Sequence, residues 1–187
     1  MNYIDELKQY IPINEQEETD KAVMLKMIEL FGDQVLTREC ELGHMSASSM
    51  ILNEDCTKVL MVYHNIYQSW SWTGGHADGE KDMLALALRE AKEETGVQNL
   101  TVLKDSLWAV DILAVWGHTK RGKYVNSHTH WNYTYLFQAN ENEELHIKED
   151  ENSGVMWIPI QDLEKVVREP EMMPVYRKLL REYMTEK

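Results

Sequence analysis

Three glutamates in the middle of the chain carry the clearest chemical signal in the sequence. Glu90, Glu93 and Glu94 lie within the segment GGHADGEKDMLALALREAKEETGV, which runs from Gly74 to Val97. In a helix of 3.6 residues per turn, these glutamates gather on one face within about one turn. Like charges this close repel one another, so a divalent cation among them is the simplest explanation of the cluster. Carboxylate oxygens without Cys or His favour Mg²⁺ over Zn²⁺.

The element that must position these glutamates is an amphipathic helix. A second face of the same segment is largely apolar. Leu84, Leu88, Ala91 and Thr95 follow one another at steps of four, three and four residues, so with Ala87 they share one face, as in a helix that packs on a core. Gly96 follows directly and is typical of a helix C-terminus. The glycine pair Gly74 and Gly75 comes before the helix, after a segment that we expect to end a strand or loop.

This segment resembles the Nudix box, the signature of hydrolases that act on nucleoside diphosphates linked to another moiety. The family pattern is Gly, five residues, Glu, seven residues, then Arg-Glu-apolar-x-Glu-Glu-x-Gly-apolar. With the first glycine set at Gly75, the matching positions are Gly75, Arg89, Glu90, Ala91, Glu93, Glu94, Gly96 and Val97. At background residue frequencies, a chance match of the fixed positions is on the order of 10⁻⁷. A merely solvated acidic helix is therefore disfavoured.

The chain departs from the family pattern at the seventh position. Lys81 stands where the family has Glu, and Glu80 lies one place early. In the family this acid mainly supports the junction between the loop and the helix, so we expect Glu80 to substitute for it and activity to survive. Ala91 is also smaller than the usual Leu or Ile.

The resemblance implies an α/β architecture, the Nudix fold, in which a mixed β-sheet is sandwiched between α-helices. We expect a Nudix domain over residues 39–187, preceded by a short helical N-terminal extension over residues 1–38. The helical spacing of residues 19–31 predicts a packing surface, which could cover the domain or form a dimer contact. Apolar runs around Asn53-Glu54-Asp55 predict a β-hairpin of residues 46–52 and 58–64. Further strands are predicted at residues 107–116, 129–138 and 155–160, and helices at 160–168 and 174–184.

The resemblance also implies roles for the residues of the box. Glu93 and Glu94 would be direct ligands of Mg²⁺, with Mn²⁺ as a substitute. Glu90 would be a ligand or the base that orients the attacking water, held in place by a salt bridge from Arg89. The backbone carbonyl of one residue of the glycine pair, Gly74 or Gly75, would complete the coordination.

An acidic loop over residues 148–154 offers one more candidate. Nudix enzymes often carry an additional acidic ligand or base a few positions before a strand that contains Trp. Glu151 is the best match, six residues before Trp157, and Glu149 is the alternate. An ordinary acidic surface loop explains this segment about equally well.

Five residues are candidates for contacts with the substrate. Trp70 or Trp72 could stack on a base, although core packing is the favoured interpretation of both. Arg121, in the cationic segment GHTKRGKYVNS, could contact phosphate, although a solvated hairpin tip is slightly favoured. His128 and His130 point to the same face of a strand. We favour pocket-lining or buried, hydrogen-bonded histidines over zinc ligands, because no third ligand is evident in the sequence.

Composition narrows the range of partners. The formal net charge of −13 argues against nucleic acid and against an anionic membrane surface. A polyphosphate remains compatible, because metal ions reverse the local sign of a carboxylate site. No signal pattern or long apolar run is present, and the two cysteines have no metal-ligand spacing, so we expect a cytoplasmic protein with reduced thiols. A homodimer is common in the family.

These observations favour a Mg²⁺-dependent hydrolase that cleaves a phosphoanhydride bond in a nucleoside diphosphate linked to another moiety, or in a related nucleotide. One alternative is a non-catalytic module that senses a nucleotide, which is disfavoured because all three acids of the box are present. The less favoured alternative is an enzyme like isopentenyl-diphosphate isomerase. That branch has a catalytic Cys close to the glycine segment, and neither Cys40 nor Cys56 is near enough to match it.

Overall fold

The structure is a computed structural model that describes residues 2–120, 122–181 and 183. Its helices are α1 (Tyr3–Gln9), α2 (Glu15–Phe31), α3 (Met83–Thr95), α4 (Leu163–Val166) and α5 (Met172–Leu179), with 3₁₀ helices at Gly32–Leu36 and Ile160–Asp162. Its strands are β1 (Gly43–Asn53), β2 (Lys58–His64), β3 (Ser69–Ser71), β4 (Thr73–His76), β5 (Thr101–Val102), β6 (Ala109–Val115), β7 (His118–Lys120), β8 (Lys123–Val125), β9 (His128–Ala139) and β10 (Asn152–Pro159). Among these described helices, none is long and apolar enough to cross a membrane.

Eight of the strands form one sheet. Strands β10, β2, β1, β9 and β5 are neighbours in that order, while β3 pairs with β2, β4 with β1 and β6 with β9. Strands β7 and β8 form a separate antiparallel pair. The predicted hairpin of β1 and β2 is present, with Ile51 opposite Leu60, and the side-chain carbonyl of Asn53 accepts the backbone N–H groups of Thr57 and Lys58 in its turn. The predicted α/β fold class is confirmed.

The described residues divide into two compact units. Unit 1 consists of those within Met1–Ala47, Gly75–Leu86 and Ser106–Thr134. Unit 2 consists of those within Ser48–Gly74, Ala87–Asp105 and Tyr135–Lys187. Strands β1, β4 and β9 and helix α3 each contribute residues to both units.

In unit 1, the N-terminal helices pack against strands. Helix α2 contacts β6, and the backbone N–H of Ile112 donates to the Asp20 carboxylate at 2.9 Å. The buried hydroxyl of Tyr133, on β9, donates to the backbone carbonyl of Tyr3 at 2.9 Å. Residues of the predicted N-terminal extension therefore share a core with β6 and β9, and the boundary predicted after residue 38 stays a prediction.

In unit 2, strand β2 provides the centre of the core. Val59, Leu60, Met61 and Val62 are all buried, and β2 pairs with β10 and with β3. Helix α5 places the buried ring of Tyr176 edge-on against Trp72, with ring centroids 5.5 Å apart. The backbone N–H of Trp72 donates to the Tyr176 hydroxyl at 3.3 Å.

Helix α3 buries part of the predicted apolar face. Ala87, Ala91 and Thr95 are buried, whereas Leu84 and Leu88 are only half-buried. Met83, Leu86 and Glu94 are buried as well. Apolar spacing located the helix, but the prediction that the glutamates lie apart from the buried face is wrong for Glu94. Glu94 is 3% exposed, and the reason lies in the contacts that it makes.

Candidate functional site

Three carboxylates converge in unit 2. Glu90 and Glu94 come from α3, and Glu151 comes from the loop before β10. One carboxylate oxygen of each residue lies within 4.8 Å of the other two. The structure thus brings together two of the three predicted glutamates of the helix and the predicted acid of the loop, although Glu151 follows Glu94 by more than fifty residues in the sequence.

The loop that carries Glu151 is fastened to the end of α3. The side-chain amide of Asn152, which is 1% exposed, donates to the backbone carbonyl of Glu94 at 3.0 Å. The backbone N–H of His146 donates to the carbonyl of Thr95 at 2.9 Å. The carbonyl of Glu151 in turn accepts the backbone N–H of Asn65 at 3.0 Å. The sequence alone did not predict this role of Asn152, because neither its residue type nor its spacing indicates a buried hydrogen bond to the helix.

Glu94 is held in an environment that disfavours its charge. Burial raises the pKa of its carboxyl to about 8. The backbone N–H of Gly74 donates to its Oε1 at 2.9 Å and opposes this rise, while the nearby charges of Glu151 and Glu90 add to it. In the metal-free protein at neutral pH, Glu94 is therefore largely protonated.

Glu90 is half-buried and has a cationic neighbour on the preceding residue. The guanidinium of Arg89 lies 3.6 Å from Glu90 Oε1, which is the ion pair that we expected. Burial nevertheless raises the pKa of Glu90, and the negative charges of Glu93 and Glu151 raise it further. The positive charges of Lys148 and Arg89 lower it, but they do not outweigh burial. The pKa of Glu90 is thus raised above its usual value.

Glu93 does not join the three converging carboxylates. Its Oε2 accepts a hydrogen bond from the Lys148 ammonium at 3.0 Å, and the same ammonium lies 3.2 Å from Glu151. Burial alone would lower the pKa of Lys148, but its bonds to Glu93 and Glu151 outweigh burial and raise it. Lys148 therefore acts as an internal counter-ion of the acidic cluster, a role that sequence reasoning did not assign to it.

The donor set suits a hard divalent cation. All the converging atoms are carboxylate oxygens, the ligands that Mg²⁺ and Ca²⁺ prefer. A divalent cation would also compensate the buried Glu94, whose raised pKa shows that Lys148 and the Gly74 N–H do not stabilise its charge sufficiently. The residues present therefore fit a metal of this class.

The two predicted tryptophans differ in their surroundings. Trp72 is buried against Tyr176, as core packing would require. Trp70 is half-buried, edge-on to Tyr63 at 5.5 Å between ring centroids, and its ring edge covers Gly154. Trp70 thus lies on the chain segment that follows Glu151, and its role as a stacking surface stays a prediction.

The two predicted histidines belong to a larger cluster in unit 1. The ring of His44 lies 5.0 Å from that of His128 and 5.1 Å from those of His76 and His130, measured between centroids. Burial lowers the pKa of His44 to about 4 and that of His130 to about 2, and neighbouring histidines add to both shifts. The rings of His44 and His130 are therefore neutral at neutral pH. Arg121 lies outside the described residues.

The junction before α3 is built by residues of unit 1. Glu80 accepts the backbone N–H groups of Lys81 and Asp82 at 2.8 and 3.0 Å, while the Lys81 ammonium pairs with Asp33. The side chain of Asp82 accepts the N–H of Ala85 at 3.0 Å, which caps the helix. Glu80 thus supports this turn locally, and its substitution for the family acid stays a prediction.

Comparison with known proteins identifies the class. The NUDIX domain matches residues 43–183, which is most of the chain, so the chain belongs to the Nudix family. This match confirms the prediction of a Nudix-type pyrophosphohydrolase. A search of curated protein sequences gave no significant match.

Solved structures agree with this fold. A C. elegans Ap4A hydrolase in a binary complex is 22% identical, with a TM-score of 0.54 over 73% of this chain and 95% of that one. The M. smegmatis Nudix hydrolase RenU is 16% identical, with a TM-score of 0.55 over 78% and 91%. The E. coli dihydroneopterin triphosphate pyrophosphohydrolase is 14% identical, with a TM-score of 0.54 over 74% and 95%. At these identities the similarity concerns the fold.

Proposed function

We propose that this protein is a Mg²⁺-dependent hydrolase that cleaves a phosphoanhydride bond in a nucleoside diphosphate linked to another moiety, or in a related nucleotide. The observation that supports this proposal is the convergence of Glu90, Glu94 and Glu151 within 4.8 Å, on and beside the helix of the Nudix box. Carboxylate ligands of this kind match Mg²⁺ in its usual role with phosphate substrates.

The residues proposed to hold the cation are Glu90, Glu94 and Glu151, with Glu93 assigned by the family resemblance. A bound Mg²⁺ supplies charge neutralisation on the phosphoryl oxygens and acidifies water. Glu93 is paired with Lys148 through its Oε2, so Glu93 would hold the cation in exchange for this ion pair or beside it. The carbonyl of Gly74 or Gly75 stays a predicted further ligand.

The remaining steps are proton and positioning steps carried by the chain itself. Glu94 must lose its proton before it can act as a ligand, and the Gly74 N–H keeps its carboxylate oriented. As the alternative to holding the cation, we propose Glu90 as the base that orients the attacking water and accepts its proton, a role that the raised pKa of Glu90 in the metal-free protein favours. Arg89 holds Glu90 through the ion pair at 3.6 Å. Positioning and electrostatics supply most of the catalysis in such reactions.

Trp70, Trp72, His128, His130 and Arg121 stay predicted contacts of the substrate. The cytoplasmic location, the homodimer and the absence of nucleic-acid and membrane partners also stay predictions. The solved structures with this fold include enzymes named for Ap4A and for dihydroneopterin triphosphate, and these two compounds belong among the substrates to test.

A panel of phosphoanhydrides tests the proposed activity. It contains nucleotide sugars, ADP-ribose, dinucleotides including Ap4A, oxidised nucleoside triphosphates, dihydroneopterin triphosphate and isopentenyl diphosphate, each with Mg²⁺ or with excess EDTA. We expect hydrolysis of at least one nucleoside diphosphate derivative, and its loss in EDTA. Tight binding of one nucleotide without turnover would instead favour the sensing module. Conversion of isopentenyl diphosphate without cleavage of a phosphoanhydride bond would favour the isomerase.

A further inference from the structure

Four of the seven histidines of the chain lie together in unit 1, far apart in the sequence. His44 lies near the start of β1, His76 ends β4, and His128 and His130 begin β9. Strand β1 is a neighbour of β9 in the sheet and pairs with β4, so the three strands bring the four rings to one place. One ring nitrogen each from His44, His76 and His130 lies within 4.8 Å of the other two.

We propose that His44, His76 and His130 bind a transition-metal cation, Zn²⁺ being the best match, at a site separate from the acidic cluster. Neutral imidazole nitrogens suit Zn²⁺, Cu²⁺, Fe²⁺ and Ni²⁺, and they suit Mg²⁺ poorly. The ligand chemistry therefore differs from that of the glutamates, which are hard oxygen donors.

The most direct evidence for this site is that the buried ring of His44 lacks regular hydrogen bonds among the described residues. Its side chain is 5% exposed, and neither of its ring nitrogens has a partner at hydrogen-bond geometry among the described residues. A backbone group of Cys40 interacts with the ring and favours its protonated form, although neither ring nitrogen meets the geometry of a regular hydrogen bond. A buried imidazole normally satisfies its nitrogens, and a cation that accepts a lone pair would satisfy one of the two nitrogens of this ring.

The distance between two of the rings is close to that in a metal site. Nε2 of His76 lies 3.2 Å from Nε2 of His130. Two nitrogens bound to one tetrahedral Zn²⁺ at its usual bond length are separated by about 3.3 Å. In the metal-free protein one of these nitrogens must donate to the other, and a cation between them would bind the lone pairs of both.

His128 is the nearest candidate for a fourth ligand. Its ring stacks on His44 at 5.0 Å and lies 5.3 Å from His130, measured between centroids. Its Nδ1 lies 2.9 Å from the backbone carbonyl of Asn126. With the proton on Nδ1, this hydrogen bond leaves the lone pair of Nε2 free for a metal, which is the usual outer support of a histidine ligand. Four imidazoles would form a closed, structural site.

The charged groups near the cluster offset each other. Asp78 and Arg38 both act on the His44 ring, and they form a two-pronged ion pair with each other at 2.7 and 2.8 Å. A cation would thus not meet an uncompensated guanidinium.

Co²⁺ titration of the chelator-treated full-length protein tests the site, because tetrahedral Co²⁺ bound by nitrogen gives intense visible absorption. We expect one equivalent of Co²⁺ to produce these bands, and Zn²⁺ to abolish them by displacement. His130→Gln and His76→Gln should each weaken Co²⁺ binding at least about tenfold. His118→Gln is the matched control, since this ring belongs to unit 1 but not to the cluster, and Glu94→Gln tests independence from the acidic site; both should keep the bands.

A second readout guards against a variant that simply fails to fold. Zn²⁺ should raise the midpoint of thermal unfolding of the native protein and of Glu94→Gln, but not that of His130→Gln, whose far-UV circular dichroism should match the native spectrum. The proposal is overturned if the native protein gives no bands, if both histidine variants keep them, or if Glu94→Gln abolishes them. None of these outcomes depends on hydrolytic activity, so the site and the proposed function can fail separately.

Discussion

Replacement of Glu94 by Gln is expected to lower kcat at least about 10²-fold at saturating Mg²⁺ and substrate. Glutamine keeps the shape of the side chain and an oxygen that can accept the Gly74 N–H, but it cannot supply a charged ligand. The loss should therefore appear mainly in kcat, with the fold intact. Steady-state kinetics on the best substrate of the panel measure it. Glu144→Gln is the control, because this carboxylate is exposed in the same unit and should leave kcat unchanged within about twofold.

The same substitution is expected to stabilise the metal-free protein. The pKa of Glu94 is about 8 in the folded state and near 4.5 in the unfolded chain. Between these two values the folded state binds the proton more tightly, so the stability contributed by this group falls as pH rises from 4.5 to 8. A neutral Gln removes the effect, which would increase the free energy of unfolding at pH 7 by up to about 3 kcal/mol.

Urea unfolding in EDTA at two pH values checks the direction of this change in the free energy of unfolding. The difference between Glu94→Gln and the native protein should be about 1–3 kcal/mol at pH 7 and close to zero at pH 4.5. A variant less stable than the native protein at pH 7, or a difference that does not depend on pH, would show that the Glu94 carboxyl is not held in its protonated form. Retention of the native kcat in Glu94→Gln would contradict the role of Glu94 as a metal ligand.

Replacement of Gly96 by Ala is expected to reduce the free energy of unfolding by about 2–4 kcal/mol. Gly96 has φ of +81°, a conformation that costs an L-residue about 1–2 kcal/mol. A Cβ at this position would also lie 2.8 Å from the backbone N and 2.7 Å from Cδ2 of His146. Movement of His146 would strain its backbone hydrogen bond to Thr95 and displace the loop that leads to Glu151.

Gly79 is the matched control that separates the cost of backbone strain from the cost of the contact with His146. Gly79 has φ of +95°, but a Cβ there would meet nothing within 4 Å, so Gly79→Ala reports the backbone cost alone, about 1–2 kcal/mol. Chemical unfolding of both variants measures the difference. If Gly96→Ala costs no more than Gly79→Ala, the contact with His146 does not restrict this position. We also expect weaker Mg²⁺ binding in Gly96→Ala, because Glu151 depends on the same loop.

Much of the site could be predicted from local sequence. The spacing of Glu90, Glu93 and Glu94 located the helix and its acidic face, and the resemblance supplied the order of glycines and glutamates around it. Glu151 could be suggested only from its distance to Trp157. Local patterns also gave the hairpin of β1 and β2, since alternating apolar residues and turn-forming residues are neighbours in the chain.

The rest depended on contacts between distant segments. Lys148 and Asn152 act on α3 from more than fifty residues away, and neither is unusual in a charged loop. Helical periodicity placed Leu84 and Leu88 on the buried face, but the packing of α3 turns Glu94 inward instead. The two-residue repeat placed His128 and His130 on one face. The other two histidines of the proposed metal site, His44 and His76, come from β1 and β4, through strand pairing that no local pattern shows.

A crystal of the protein soaked in MnCl₂ tests most directly whether the acidic cluster binds the catalytic cation. Mn²⁺ replaces Mg²⁺ and is located by its anomalous scattering. We expect a peak within about 2.0–2.3 Å of carboxylate oxygens of Glu90 and Glu94, with Glu151 as a further ligand. A protein that hydrolyses its substrate with Mn²⁺ but shows no peak among these carboxylates would contradict the proposed metal site.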